Sequence, residues 1–171
     1  MKRDNYIARL AAWKSSSRRK PLILEGARQV GKTWLMKEFA KTYYENVVYA
    51  RFDKDKVLRS IFERDFDMNR IVRDLETLFR TRIDAENTVL LFDEIQSCKN
   101  ALTSLKYFCE EARAYHVIAA GSLLGVTMHQ GLGFPVGKID QINLKPMSFS
   151  EFLLASNQEK YLNLISQPPT A

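Results

Sequence analysis

The sequence predicts an α/β fold: a parallel sheet of five strands, in the order 5-1-4-3-2, with helices on both faces. Three observations predict it. Short apolar runs alternate with amphipathic stretches of helical period. A glycine-containing loop joins the first apolar run to a long helix. A later apolar run ends in Asp93-Glu94, far enough downstream for a helix, a strand and a second helix to intervene.

The elements follow in order. Tyr6, Leu10 and Trp13, spaced by four and three, predict a short helix near residues 4–14. The run from Ser15 to Lys20 breaks that pattern and reads as a linker. Pro21 is followed by Leu22, Ile23 and Leu24, a buried strand. Gly26 to Lys32 is a loop, and Thr33 to Tyr44 a helix with Leu35, Phe39 and Tyr43 on one stripe and Met36 and Ala40 on the next. Val47 to Phe52 is the second strand. Met68, Ile71, Val72, Leu75, Leu78 and Phe79 recur at threes and fours and form a long helix. Val89 to Phe92 is the third strand, Ala101 to Arg113 a helix, Val117 to Ala120 the fourth strand and Ile139 to Leu144 the fifth. Ser148 with Glu151 is a capping-box pattern, so a last helix begins at Phe149. This divides the chain into a basic N-terminal helix and linker (1–20), a core (21–147) and the start of a helical C-terminal region (148–171). That region looks cut short, and its apolar residues Phe149, Phe152, Leu153 and Leu162 are expected to find few partners.

The composition is ordinary for a globular chain of 171 residues, with 46% hydrophobic and 27% charged residues. No run of about 18 apolar residues is present, and the N-terminus lacks the apolar core of a signal peptide. The expectation is a cytoplasmic protein with no membrane partner. Cys98 and Cys109 form no CxxC and no metal spacing with His116 or His129, so free thiols are expected. The net charge of +6 is local: residues 1–20 hold seven basic groups against Asp4 alone, and the rest of the chain balances at 19 of each sign. Arg18, Arg19 and Lys20 are therefore a candidate contact for a nucleic-acid backbone, with a solvated linker the favoured reading.

Gly26-Ala27-Arg28-Gln29-Val30-Gly31-Lys32-Thr33 matches G-x-x-x-x-G-K-[ST], the Walker A pattern, in full. Glycines let such a loop wrap with its backbone N–H groups inward, and the following helix adds its positive N-terminal end. Lys32 is placed for the β- and γ-phosphates and the Thr33 hydroxyl for Mg²⁺. The nucleotide-binding set runs from Gly26 through Trp34, including Ala27, Arg28, Gln29, Val30 and Gly31. Arg28 reads equally as a phosphate contact or a solvated loop residue.

Val89-Leu90-Leu91-Phe92-Asp93-Glu94 is an apolar strand ending in two carboxylates, at the edge where open α/β sheets bind ligands. Asp93 is assigned to Mg²⁺ and Glu94 to orienting and polarising an attacking water. Lys32 and Asp93 lie 61 positions apart, which implies a strand between the two motif strands. Val117 to Ala120 runs into Gly121-Ser122, and Ser122 is assigned as a sensor of the γ-phosphate.

Together these motifs resemble a family of bacterial and archaeal AAA-like P-loop ATPases whose members read roughly GxRQVGKT, DEIQ, LK, GS, GR and LxPLSFxEF. Here GARQVGKT stands at 26–33, DEIQ at 93–96, Leu105-Lys106, Gly121-Ser122, and Leu144 to Phe152 reads LKPMSFSEF. The resemblance covers about residues 5–155 and implies an ATP- and Mg²⁺-dependent ATPase. Such a core is followed in that family by a large C-terminal domain, often considered nuclease-related or nucleic-acid-associated, which this sequence does not contain. A missing domain or partner protein, and ATP-dependent self-association, are the partners it implies. Where the family commonly has Gly-Arg, a candidate trans-acting finger, this chain has Gly137-Lys138, a point charge in place of a planar fork.

Other classes fit less well. A GTPase needs Asp-x-x-Gly after the third strand and Asn-Lys-x-Asp, and neither occurs. A small-molecule kinase needs a substrate lid, and the long gap between motifs argues against one. A nucleotide-dependent scaffold with little turnover remains the alternative to an ATPase motor or switch.

Overall fold

The computed structural model describes residues 3–121, 135, 137–156, 158 and 161. The apolar runs form β1 (Leu22–Glu25), β2 (Asn46–Arg51), β3 (Thr88–Asp93), β4 (His116–Ala120) and β5 (Asp140–Asn143). All pairings are parallel, and the order is β2-β3-β4-β1-β5, the expected order read from the other edge. The in-register pairs Arg51↔Asp93, Asp93↔Ala120 and Glu25↔Asn143 bring the carboxyl ends of the strands to one edge.

The helices are α1 (Asp4–Ser15), α2 (Lys32–Tyr43), α3 (Lys56–Arg64), α4 (Met68–Phe79), α5 (Lys99–Glu110) and α6 (Phe149–Ala155), with a 3₁₀ turn at Ile95–Ser97. Alternation along the strands sends side chains to two separate cores. Leu22, Leu24, Val89, Leu91, Ile118 and Ala120 pack under α1 and α2, against Leu10, Trp13, Leu35, Met36 and Phe39. Ile23, Val48, Leu90, Phe92, Val117 and Ala119 pack under α3, α4 and α5. There Phe52, Phe62, Phe92 and Phe108 meet edge to face. The result is three layers, with the inner strands β3 and β4 buried along their whole lengths.

The sequence reading passed over α3. Asp55 caps it by accepting from the Leu58 N–H, and Leu58, Ile61 and Phe62 bury one face. The N-terminal segment is part of the fold. Leu10 is buried, the Trp13 indole donates to the Lys20 carbonyl, and Arg19 donates to the carbonyls of Lys14, Arg113 and Ala114. Lys14 and Lys20 likewise reach the carbonyls of Tyr43 and Gly137. The cations of the linker are thus largely engaged with this chain's own backbone.

The capping box at Ser148 and Glu151 is present in both directions. On α6, Phe149 and Phe152 are 62% and 52% exposed, as expected, while Leu153 is buried. Leu162 lies outside the described residues. Cys98 and Cys109 are free thiols. Among the described residues no helix is long and apolar enough to cross a membrane.

Candidate functional site

Between β1 and α2 the chain makes the predicted loop. Gly26 has φ 147° and Gly31, at the head of α2, has φ 94°. A β-carbon on Gly26 would stand 2.3 Å from the Leu144 carbonyl oxygen, so the loop approaches the segment after β5 more closely than any side chain permits. Gln29 takes a left-handed conformation at φ 66°. Lys32 is 8% exposed and folds back across the loop, its ammonium donating to the carbonyls of Gly26 (2.8 Å) and Ala27 (2.7 Å). Burial holds that ammonium below the ordinary lysine pKa, while the carboxylates of Glu94 and Asp93 pull it upward.

The two motifs meet at one hydrogen bond. The Thr33 hydroxyl, in the first turn of α2, donates to Asp93 Oδ2 at 2.8 Å. Asp93 ends β3 and is 4% exposed. Its Oδ2 also accepts from the Tyr49 hydroxyl at 2.7 Å, and its Oδ1 from the Glu94 backbone N–H at 3.1 Å. Glu94 stands next in the chain with φ 51°, a left-handed turn that leads out of the strand. Its carboxylate accepts from the Gln96 side-chain amide. Two of the three non-glycine residues with positive φ among the described residues, Gln29 and Glu94, line the same cleft, the kind of local strain that gathers at working sites.

That cleft, about 300 Å³, is lined by residues 28, 29 and 31–34 together with Glu94. A second cleft of about 310 Å³ lies across the loop, bounded by Arg3, residues 27–31, Pro146 and Met147. Arg3 is 3% exposed and donates to the carbonyls of Lys145 and Val30, tying the Gly26–Lys32 loop to the segment after β5. A larger hollow of about 550 Å³, along Arg73, Glu76 and Arg80 at the end of α4, contains no motif residue.

Lys32, Thr33, Asp93 and Glu94 are therefore brought together from two motifs 61 positions apart. Ser122 lies outside the described residues, while Gly121 follows directly on β4. Lys138 pairs with Glu110 at 2.8 Å, across to the last residue of α5. Sequence reasoning missed Tyr49, Gln96 and Arg3. Gln96 was legible within DEIQ as a residue type without a role; the other two act through contacts that no spacing announces.

The donor set suits a small hard cation. A buried carboxylate and a hydroxyl 2.8 Å apart present oxygen only, at the head of a helix. Among the described residues no group of three or more His, Cys, Asp or Glu gathers.

A family model described as AAA domain matches residues 18–153, most of the chain. The chain belongs to this AAA-domain family. The AAA domain is a nucleotide-binding, ATPase-like domain, and its strand order and loop agree with that assignment. No curated protein matches it. Among solved structures, one titled "Structure of C. elegans PCH-2" is similar at 16% identity and a TM-score of 0.49. The similarity covers 94% of this AAA domain but 46% of that chain, so the domain spans less than half of that structure's length.

Proposed function

We propose that this AAA domain binds ATP with Mg²⁺, hydrolyses it, and acts as a motor or switch for an attached or partner domain. The observation that carries the reading is the Thr33–Asp93 hydrogen bond, which joins the phosphate loop to the acidic strand end beside the cleft. Lys32, poised on two loop carbonyls, can exchange them for phosphate oxygens. The N–H groups at the head of α2 add positive potential there. Thr33 and Asp93 would hold the metal, which when bound neutralises charge on the phosphate oxygens. Glu94 orients water and accepts its proton, and Gln96 fixes the Glu94 carboxylate by donating to it.

Two substitutions test this. Lys32→Ala lowers ATP affinity in calorimetry by at least about tenfold without changing the far-ultraviolet circular dichroism. Glu94→Gln keeps ATP bound while phosphate release falls by about 10²-fold or more. Unchanged affinity for the first, or unchanged release for the second, refutes the assignment. A nucleotide-dependent scaffold with little turnover is the second reading, favoured by the engagement of Lys138 with Glu110. A parent chain that binds ATP but releases no phosphate selects it.

A further inference from the structure

Among the described residues the Asp93 carboxylate accepts three hydrogen bonds, and they come from three parts of the chain. Thr33 belongs to the phosphate loop and helix, the Glu94 N–H to the acidic motif, and only the Tyr49 hydroxyl comes from outside both. Tyr49 sits on the edge strand β2, opposite Leu91 in register, two residues before the Arg51↔Asp93 pair. From there its side chain slants along the sheet to reach the carboxylate that ends β3. Its ring is clamped from the other side, with the Lys37 ammonium 3.7 Å from the centroid. Lys37 lies four residues after Thr33, so one face of α2 presents a hydroxyl to Asp93 and a cation to the ring that donates to Asp93.

The bond is charge-assisted, and Tyr49 and Thr33 both donate to Oδ2, at 2.7 and 2.8 Å. With donors on both oxygens, two of them from other elements, the carboxylate is held against rotation. Removing Tyr49 leaves Oδ2 with Thr33 alone and frees the carboxylate to rotate.

We propose that Tyr49 is a positioning residue for the metal: its hydroxyl fixes the Asp93 carboxylate so that Asp93 and Thr33 are set in advance to take Mg²⁺ with the nucleotide. This rests on the ATP–Mg²⁺ reading of the site. Groups that orient a metal ligand in this way commonly weaken metal affinity by about 10–100-fold when removed.

Tyr49→Phe keeps the ring and its contact with Lys37 and deletes only the donor. A fluorescent ATP analogue is bound to parent and variant in excess chelator, then titrated with free Mg²⁺, and melting curves are recorded for both. The expected result is metal-free nucleotide affinity within about twofold of the parent and a Mg²⁺ midpoint raised about tenfold. A midpoint equal to or below the parent's overturns the proposal. If Tyr49→Phe does not fold, Lys37→Met, at an exposed position, is read in its place. Loosening the ring then raises the Mg²⁺ midpoint about two- to threefold, and no rise overturns the proposal. A parent that gains nothing from Mg²⁺ overturns the site reading as well. A parent that gains while Tyr49→Phe gains equally overturns this inference alone.

Discussion

At Gly26 two constraints coincide, a φ of 147° and a backbone oxygen 2.3 Å from where a β-carbon would lie. At Gly137, by contrast, φ is 73° and nothing stands within 4 Å of a β-carbon. The pair separates conformational strain from steric collision. Gly137→Ala carries the left-handed cost alone, about 1–2 kcal/mol. Gly26→Ala must also push Leu144 away, although its N–H is bound to the Glu25 carbonyl in the β1–β5 ladder. The expected loss is larger, on the order of 3 kcal/mol, and accompanied by weaker ATP binding. Urea unfolding of both variants decides it, and equal losses would remove the close approach from the argument. The same scale shows what sequence can carry. Lys32, Thr33 and Asp93 were legible as candidates because patterns for phosphate and metal binding fix residue types at set offsets along the chain. Tyr49 was not, because its contact with Asp93 depends on β2 lying beside β3 in one register. Arg3 depends likewise on the segment after β5 passing over the loop.

Among the elements, α3 was missed because its three buried apolar residues, Leu58, Ile61 and Phe62, sit among Asp53, Lys54, Asp55, Lys56, Arg59, Glu63 and Arg64. Their helical spacing and the Asp55 cap were both present, but a nine-residue helix offers little more than one period to read. The longer pattern of α4, from Met68 to Phe79, was recognised as a helix. Element packing also creates a titration that spacing does not announce. His116 begins β4 and is 7% exposed, with Nδ1 against the Tyr44 hydroxyl and Trp13 of α1 edge-on to its ring. Burial, then the charges of Arg19 and Lys14, lower its pKa from 6.5 to about 4. The folded state therefore keeps His116 neutral where the unfolded chain takes up a proton. The His116 contribution is therefore flat above about pH 6.5 and is lost as pH drops from there towards 4, by on the order of 2 kcal/mol. Asp53, Asp65 and Glu110, held below their ordinary values by Arg51, Arg70 and Lys138, add their losses only at lower pH. Denaturation midpoints measured between pH 8 and 4.5 should show this slope in the parent and lose most of it in His116→Asn. A slope unchanged in that variant would assign the titration elsewhere.

For the molecule as a whole, strand order was readable because the gap between the motifs demanded an intervening strand, and parallel crossovers leave few ways to place it. Whether one copy is sufficient for fast turnover is a different matter, and Lys138 bears on it. Its ammonium is paired with Glu110 at 2.8 Å on the same chain, and it is not among the residues lining the cleft that holds Lys32 and Glu94. A cation supplied to the phosphates in the transition state is worth about 10³–10⁵ in rate where P-loop enzymes use one. With Lys138 engaged in this way, an isolated copy has Lys32 to meet the phosphates and no second cation from that position. The expected behaviour of the 171-residue chain is ready ATP binding with slow hydrolysis, at a rate per chain that does not rise with protein concentration. Lys138→Ala should leave that rate within about twofold, since it removes an exposed ion pair on the far end of α5. Steady-state phosphate release across a hundredfold range of protein concentration, with sedimentation of the same samples in ATP, measures both. A rate that climbs with concentration and collapses in Lys138→Ala would show instead that Lys138 leaves Glu110 to serve the cleft of a second copy.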